Sequence, residues 1–110
     1  MKLPHGDKAI IDQRKVVDYC LSPYHDDGKH KARLFEDLLG LTCEHAVWLL
    51  DALREAAVSG EAVLGRIDRH GQRYVIDFEL VGLAGRALVR SAWIVRTGET
   101  IPRLVTCYIP

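Results

Sequence analysis

From Arg73 to Leu80 the chain alternates without a break: Tyr74, Ile76, Phe78 and Leu80 share one parity, and Arg73, Val75, Asp77 and Glu79 share the other. A period of two residues sends the sets to opposite faces of a β-strand, leaving one face apolar and in need of cover. Ala87, Val89, Ser91, Trp93 and Val95 resume the period after a turn at residues 82–85, which contains Gly82 and Gly85. A hairpin closed there sets the second apolar row opposite the first, and Asp77 opposite Arg90 on the other face. His70-Gly71 supplies the turn into the first of these strands. Gly98-Glu99-Thr100 turns the chain into a last strand from Arg103 to Ile109, with Pro102 at its start, where a missing N–H is tolerated.

Upstream of Ser59-Gly60 the apolar spacing is helical instead. Asp12 is placed to cap a first helix carrying Val16, Val17, Cys20 and Leu21, which Ser22-Pro23 should stop. A second helix is predicted from about Lys29 to Leu39, with Leu34, Phe35, Leu38 and Leu39 on one face and Gly40 at its end. Thr42 caps a third, in which Ala46, Leu49, Leu50, Leu53 and Ala57 form the apolar stripe. The predicted class is α+β: about three N-terminal helices packed on one face of a four-stranded antiparallel meander. Residues 1–60 form the helical part and 61–110 the sheet part of a single domain.

With 110 residues, 48% of them apolar, such a chain can build a core without disulfides or metal. Cys20, Cys43 and Cys107 are odd in number, widely spaced and without a Cys-x-x-Cys pair, which points to a reducing compartment, the cytoplasm. No apolar run approaches the ~20 residues of a membrane-spanning helix, and the first seven residues carry no hydrophobic targeting run.

Fifteen cations balance fifteen anions, which argues against a generic coat for DNA or anionic lipid. The halves differ. Residues 1–61 carry eight cations and eleven anions, net −3; residues 62–110 carry seven and four, net +3. All seven cations of the sheet half are arginines: Arg66, Arg69, Arg73, Arg86, Arg90, Arg96 and Arg103. Their planar forks suit phosphate or carboxylate, and they equally serve to solvate strand faces and pair with Asp68, Asp77 and Glu79.

Gly28-Lys29-His30-Lys31-Ala32-Arg33 loads cations onto a helix N-terminus, the end that disfavours them. One reading is an anion pocket made by the amides after Gly28 and the Lys31 ammonium, with His30 as proton carrier. The other is that Asp26 and Asp27 cap the helix and the lysines reach solvent. His25, His30 and the adjacent aspartates match no standard zinc spacing, so no metal is expected. Cys43 reads as a partly buried structural cysteine, Trp48 and Trp93 as core or core-edge aromatics, and His70 as a turn residue. No phosphate-loop, dinucleotide-binding, zinc-protease or nucleophile-elbow motif occurs, and no cofactor is expected.

Several segments in order carry a resemblance. They are Leu3-Pro4, Ala9-Ile10-Ile11-Asp12 with Lys15, Asp18-Tyr19, Leu21-Ser22-Pro23, Gly28-Lys29-His30-Lys31-Ala32 with Phe35, Leu39-Gly40 and Gly71-Gln72-Arg73-Tyr74. Val89-Arg90-Ser91-Ala92-Trp93-Ile94 and Pro102-Arg103-Leu104-Val105-Thr106 complete the set. The chain is similar to an uncharacterised bacterial domain family that occurs as small standalone proteins and as C-terminal modules of polymorphic toxins. Its order of elements also resembles the barnase–EndoU–RelE class of metal-independent ribonucleases.

The resemblance implies a catalytic group of His30, Lys31, Arg90, Arg103 and Thr106, with Lys29, Arg73, Arg96 and Tyr108 as substrate-binding candidates. Strict alternation sends Arg103 and Thr106 to opposite faces, so both reach one site only through a bulge or at a strand end. The implied chemistry is attack by an RNA 2′-hydroxyl on its own phosphate, with cations stabilising the charged intermediate and an acid protonating the leaving 5′-oxygen. The implied partners are an RNA substrate and an antitoxin or immunity protein that covers the basic face. The competing class is a non-enzymatic antitoxin, immunity protein or inhibitor that binds a protein through its sheet face. A homodimer through strand edges is a third arrangement.

Overall fold

A computed structural model describes residues 1–22, 24 and 29–110. Pro23, His25, Asp26, Asp27 and Gly28 lie outside the described residues. With them go the predicted proline stop, the two-carboxylate cap, the His25 metal reading and the Gly28 amides of the anion pocket.

The architecture is α+β. Helix α1 (Gln13–Lys15) continues into a π-helical turn (Val16–Cys20) and is followed by α2 (Lys29–Leu39) and α3 (Ala46–Ser59). Strands β1 (Ala62–Asp68), β2 (Gly71–Val81), β3 (Arg86–Arg96) and β4 (Arg103–Tyr108) then form one antiparallel sheet in the order β1-β2-β3-β4. The alternation that predicts the hairpin also sets its register. Tyr74 faces Trp93, Ile76 faces Ser91, Phe78 faces Val89, Leu80 faces Ala87, and on the opposite side Asp77 faces Arg90.

The helices differ from expectation in two places. Asp12 does cap α1, accepting from the Arg14 N–H at 2.9 Å, but the α-helix lasts three residues before the wider turn, in which the Leu21 N–H donates to the Val16 carbonyl. On an α-helix positions five apart point about 140° away from each other. The π turn narrows that offset, and both Val16 and Leu21 are buried. In α2 the buried stripe is Ala32, Phe35 and Leu39, whereas Leu34 and Leu38 are 39% and 45% exposed. The small Ala32 lets that line of the helix approach the core, and this rotates the two leucines to its flank.

Gly40 ends α2 at φ 67°, and its successor Leu41 donates back to the Phe35 carbonyl, a left-handed cap for which glycine is suited. Thr42 accepts from the Glu44 N–H at 3.4 Å, while its own N–H donates to His45 Nδ1 at 3.1 Å, so the turn before α3 is capped from both directions. Cys43, one residue beyond that cap, is exposed rather than partly buried, because Ala46 is the first residue of this stretch to enter the core. Trp48 sits at the core edge, 40% exposed, with its indole N–H on the Val81 carbonyl at 3.0 Å.

Phe35, Leu39, Leu49, Leu53, Ile76, Val89, Trp93, Leu104 and Cys107 belong to one buried cluster between the helices and the sheet. Ser91 is the buried polar side chain within it among the described residues. Its hydroxyl donates to the Ile76 carbonyl at 2.8 Å and accepts from the Trp93 indole N–H at 2.9 Å. Ser91→Ala strands that indole donor, so the variant is expected to lose about 1–3 kcal/mol in chemical denaturation. A loss below about 0.5 kcal/mol would show that the bond contributes little. Along the outer edge of β4, Ile10 donates to the Pro102 carbonyl and accepts from the Leu104 N–H, both at 2.9 Å. The N-terminal segment thus shields part of that edge.

Candidate functional site

The helices cover one face of the sheet; residues of the other parity form the open face. On it Arg90 grips Asp77 with both arms of its fork, Nε to Oδ1 and Nη2 to Oδ2, each at 2.9 Å. Those hydrogen bonds hold the Asp77 carboxyl below the usual carboxylate range. Arg90 is pushed upward, first by Asp77 and then by a hydrogen bond with Tyr108, its neighbour across the β3–β4 ladder. A carboxylate depressed in the folded state stabilises the fold above its unfolded pKa of about 3.9, and the gain disappears as pH falls through the folded value. Asp77→Asn is therefore expected to flatten the acid limb of the stability curve below about pH 4. An unchanged acid limb in urea titrations would show that the pair contributes nothing there.

The last strand carries an irregularity that decides the site. Ala92 pairs with Thr106 but Trp93 pairs with Leu104, so Val105 is an extra residue, a β-bulge. Without it Arg103 and Thr106 would face opposite ways. With it Leu104 and Cys107 are buried in the core, while Arg103, Thr106 and Tyr108 share the open face with Arg90.

Lys31 reaches that face from the first turn of α2. Its Nζ lies 3.0 Å from Thr106 Oγ1 and 5.5 Å from the centre of the Tyr108 ring. The ammonium therefore donates to the threonine hydroxyl and stands over an aromatic face at cation–π distance. Lys31, Thr106, Tyr108 and Arg90 form one connected cluster. His30 and Lys29 do not join it. One residue is about 100° around a helix, and both line a concavity with Arg33, Glu36 and Asp37 on the solvent side of α2.

Farther along the same open face, Arg73, Arg96 and Arg103 line a cleft of about 380 Å³ together with Lys15, His70 and Asp12. Arg103 is held by Glu99 through Nε at 3.2 Å and Nη2 at 3.3 Å. Lys15, His70 and Asp12 escape a motif search because no short spacing links them to the arginines. The signal available is parity: Arg90 and Arg96 share a face of β3, and Arg73 stands opposite Ile94 on that face. Among the described residues no group of three histidine, cysteine or carboxylate side chains is placed to hold a metal. No described helix is long and apolar enough to cross a membrane.

The arrangement can bind anions at two places on one surface, donate a proton from Lys31, and orient a ligand through the hydroxyls of Thr106 and Tyr108. No curated protein matches the sequence. Among solved structures, a chain of a contact-dependent growth inhibition toxin–immunity protein complex from Klebsiella pneumoniae 342 matches with a TM-score of 0.65 and 19% identity. The match covers 92% of the present chain and 99% of that one. At this identity the likeness is one of fold. The model of one protein family, described as Domain of unknown function (DUF6883), matches residues 2–110, and the chain belongs to that family.

Proposed function

We propose that the chain is a ribonuclease-like toxin domain that cleaves RNA without metal on its open sheet face and is held in check by a protein partner covering that face. The observation that carries this reading is the Lys31 ammonium, shared between Thr106 and the Tyr108 ring on the side of the sheet where Arg90 lies. The fold shared with a chain from a toxin–immunity protein complex supports the toxin setting and the protein partner.

In this mechanism a backbone phosphate sits over β3 and β4, with Lys31 and Arg90 balancing its charge. The 2′-hydroxyl loses its proton to a solvent base and attacks phosphorus. The O2′–P bond forms, the P–O5′ bond breaks, and Lys31 delivers a proton to O5′, leaving a 2′,3′-cyclic phosphate. Thr106 and Tyr108 orient the phosphate or sugar. Because His30 lies on the solvent side of α2, the proposal gives the proton transfer to Lys31 rather than to the imidazole.

Purified protein incubated with total RNA in EDTA is expected to produce fragments ending in cyclic phosphate. Intact RNA after prolonged incubation with folded protein would overturn the reading. The competing assignment, a non-enzymatic antitoxin or immunity protein, draws on the bidentate neutralisation of Arg90 by Asp77. Expression alone separates the two. Growth arrest relieved by a co-expressed partner fits the toxin, and harmless expression with one tight partner fits the binder.

A further inference from the structure

The cleft lined by Lys15, Arg73, Arg96 and Arg103 is separate from the Lys31 cluster. Arg90 and Arg96 lie six residues apart on β3, about 20 Å at a rise of roughly 3.3 Å per residue. Ile94, which contributes to the cleft wall, is still about 13 Å along the strand from Arg90. A single phosphate cannot bridge Arg90 and Arg96; Thr106 and Arg103, paired with Ala92 and Ile94, stand about 7 Å apart along the strand and join the two groups into one track. Between Arg90 and Arg96 the open face is floored by Val75 and Ala92, and the β2–β4 positions there present no carboxylate among the described residues.

The cleft keeps donors unspent. Arg73 Nε is buried without a hydrogen bond; its nearest carboxylate oxygen, Asp68 Oδ2, is 3.8 Å away, too far for one. Arg96 makes no ion pair within 4 Å among the described residues, and Lys15 Nζ makes one long contact of 3.5 Å, to the Leu104 carbonyl. Four cations line the cleft and one carboxylate, Asp12, joins them. Counting the Asp68 and Glu99 partners as well, the four cations exceed the carboxylates by one charge. Val105, the bulge residue, forms part of the wall, so the device that gathers the Lys31 cluster also shapes this cleft.

We infer that the cleft is a second phosphate subsite, so that the ligand of the open face is an RNA strand long enough to lie across both cation groups, not a dinucleotide. The inference rests on the ribonuclease reading for the identity of the ligand, and its test does not require cleavage. Fluorescence anisotropy with 2′-O-methyl RNA, which lacks the attacking hydroxyl, compares an octamer with a dinucleotide on the full chain. The wild type is expected to bind the octamer at least about tenfold more tightly. In Lys15→Ala and Arg96→Ala that ratio collapses, and the slope of log affinity against log salt falls by about 0.7 for each phosphate that is no longer neutralised.

Equal affinity of the wild type for octamer and dinucleotide, or an unchanged ratio in both variants, overturns the subsite. The two readings fail separately. Loss of the octamer preference in variants of a protein that never cuts RNA keeps the subsite and sinks the ribonuclease. Unchanged octamer preference in variants that still cut RNA sinks the subsite and keeps the ribonuclease.

Discussion

Lys31→Ala is expected to lower RNA cleavage at least about 10²-fold, the usual consequence of removing a donor aimed at developing transition-state charge. The side chain lies at the junction of the open-face cluster, 3.0 Å from Thr106 Oγ1 and 5.5 Å from the Tyr108 ring centre. Its removal takes away the proposed proton source for O5′ and a positive charge from the same place. The fold should tolerate the change, because Lys31 is half-buried at the flank of α2 while Ala32, Phe35 and Leu39 anchor the helix. A melting temperature near that of the wild type is therefore the internal control. Lys31→Arg keeps the charge but replaces a compact ammonium by a planar fork, and intermediate activity is expected. His30→Ala should cost less than Lys31→Ala, since His30 faces the solvent side of α2. Wild-type cleavage by folded Lys31→Ala would remove this residue from the site.

The parts of the molecule legible in the sequence are those in which a local period coincides with burial. The hairpin is the clearest instance: a regular two-residue alternation leaves one register in which both apolar rows share the core, and Asp77 opposite Arg90 follows from it. The stripe of α3 is equally direct, with Ala46, Leu49, Leu50, Leu53 and Ala57 all buried. The π turn at Val16–Cys20 has no such local signature; it follows from where Val16 and Leu21 must meet the rest of the core. Likewise Leu34 and Leu38 belong to the apolar count of α2, but tertiary packing chooses the line through Ala32 instead.

The candidate site divides in the same way. Arg90, Thr106 and Tyr108 are strand positions whose facing is a question of parity, and Lys31 stands out because a cation at a helix start breaks a local rule. Lys15 comes to the cleft through the closure of the N-terminal segment over β4, and His70 through the β2–β3 ladder that sets the β1–β2 turn beside Arg96, both pairings distant in sequence.

One inserted residue after Val105 is expected to abolish RNA cleavage in a protein that still folds, while deletion of Val105 leaves the Lys31 cluster in place. The asymmetry follows from what the bulge accomplishes. Leu104 points into the core and Thr106 onto the open face although they are two residues apart, because Val105 is taken out of the alternation. Deleting it leaves Arg103, Leu104, Thr106, Cys107 and Tyr108 in simple alternation, each on the face it already occupies. Inserting a residue also restores simple alternation, so every side chain keeps its face, but it slides residues 106–109 two positions along β3, about 7 Å, and sets Thr106 opposite Arg90 instead of Ala92. The insertion variant should still fold, but Thr106 is carried away from Lys31 Nζ and their 3.0 Å bond is lost. Its cleavage should vanish with the open-face cluster. The deletion should keep the Lys31 cluster on one face and change chiefly the local twist and the wall of the cleft. Wild-type cleavage by the insertion variant would mean that the register of β4 does not account for the site.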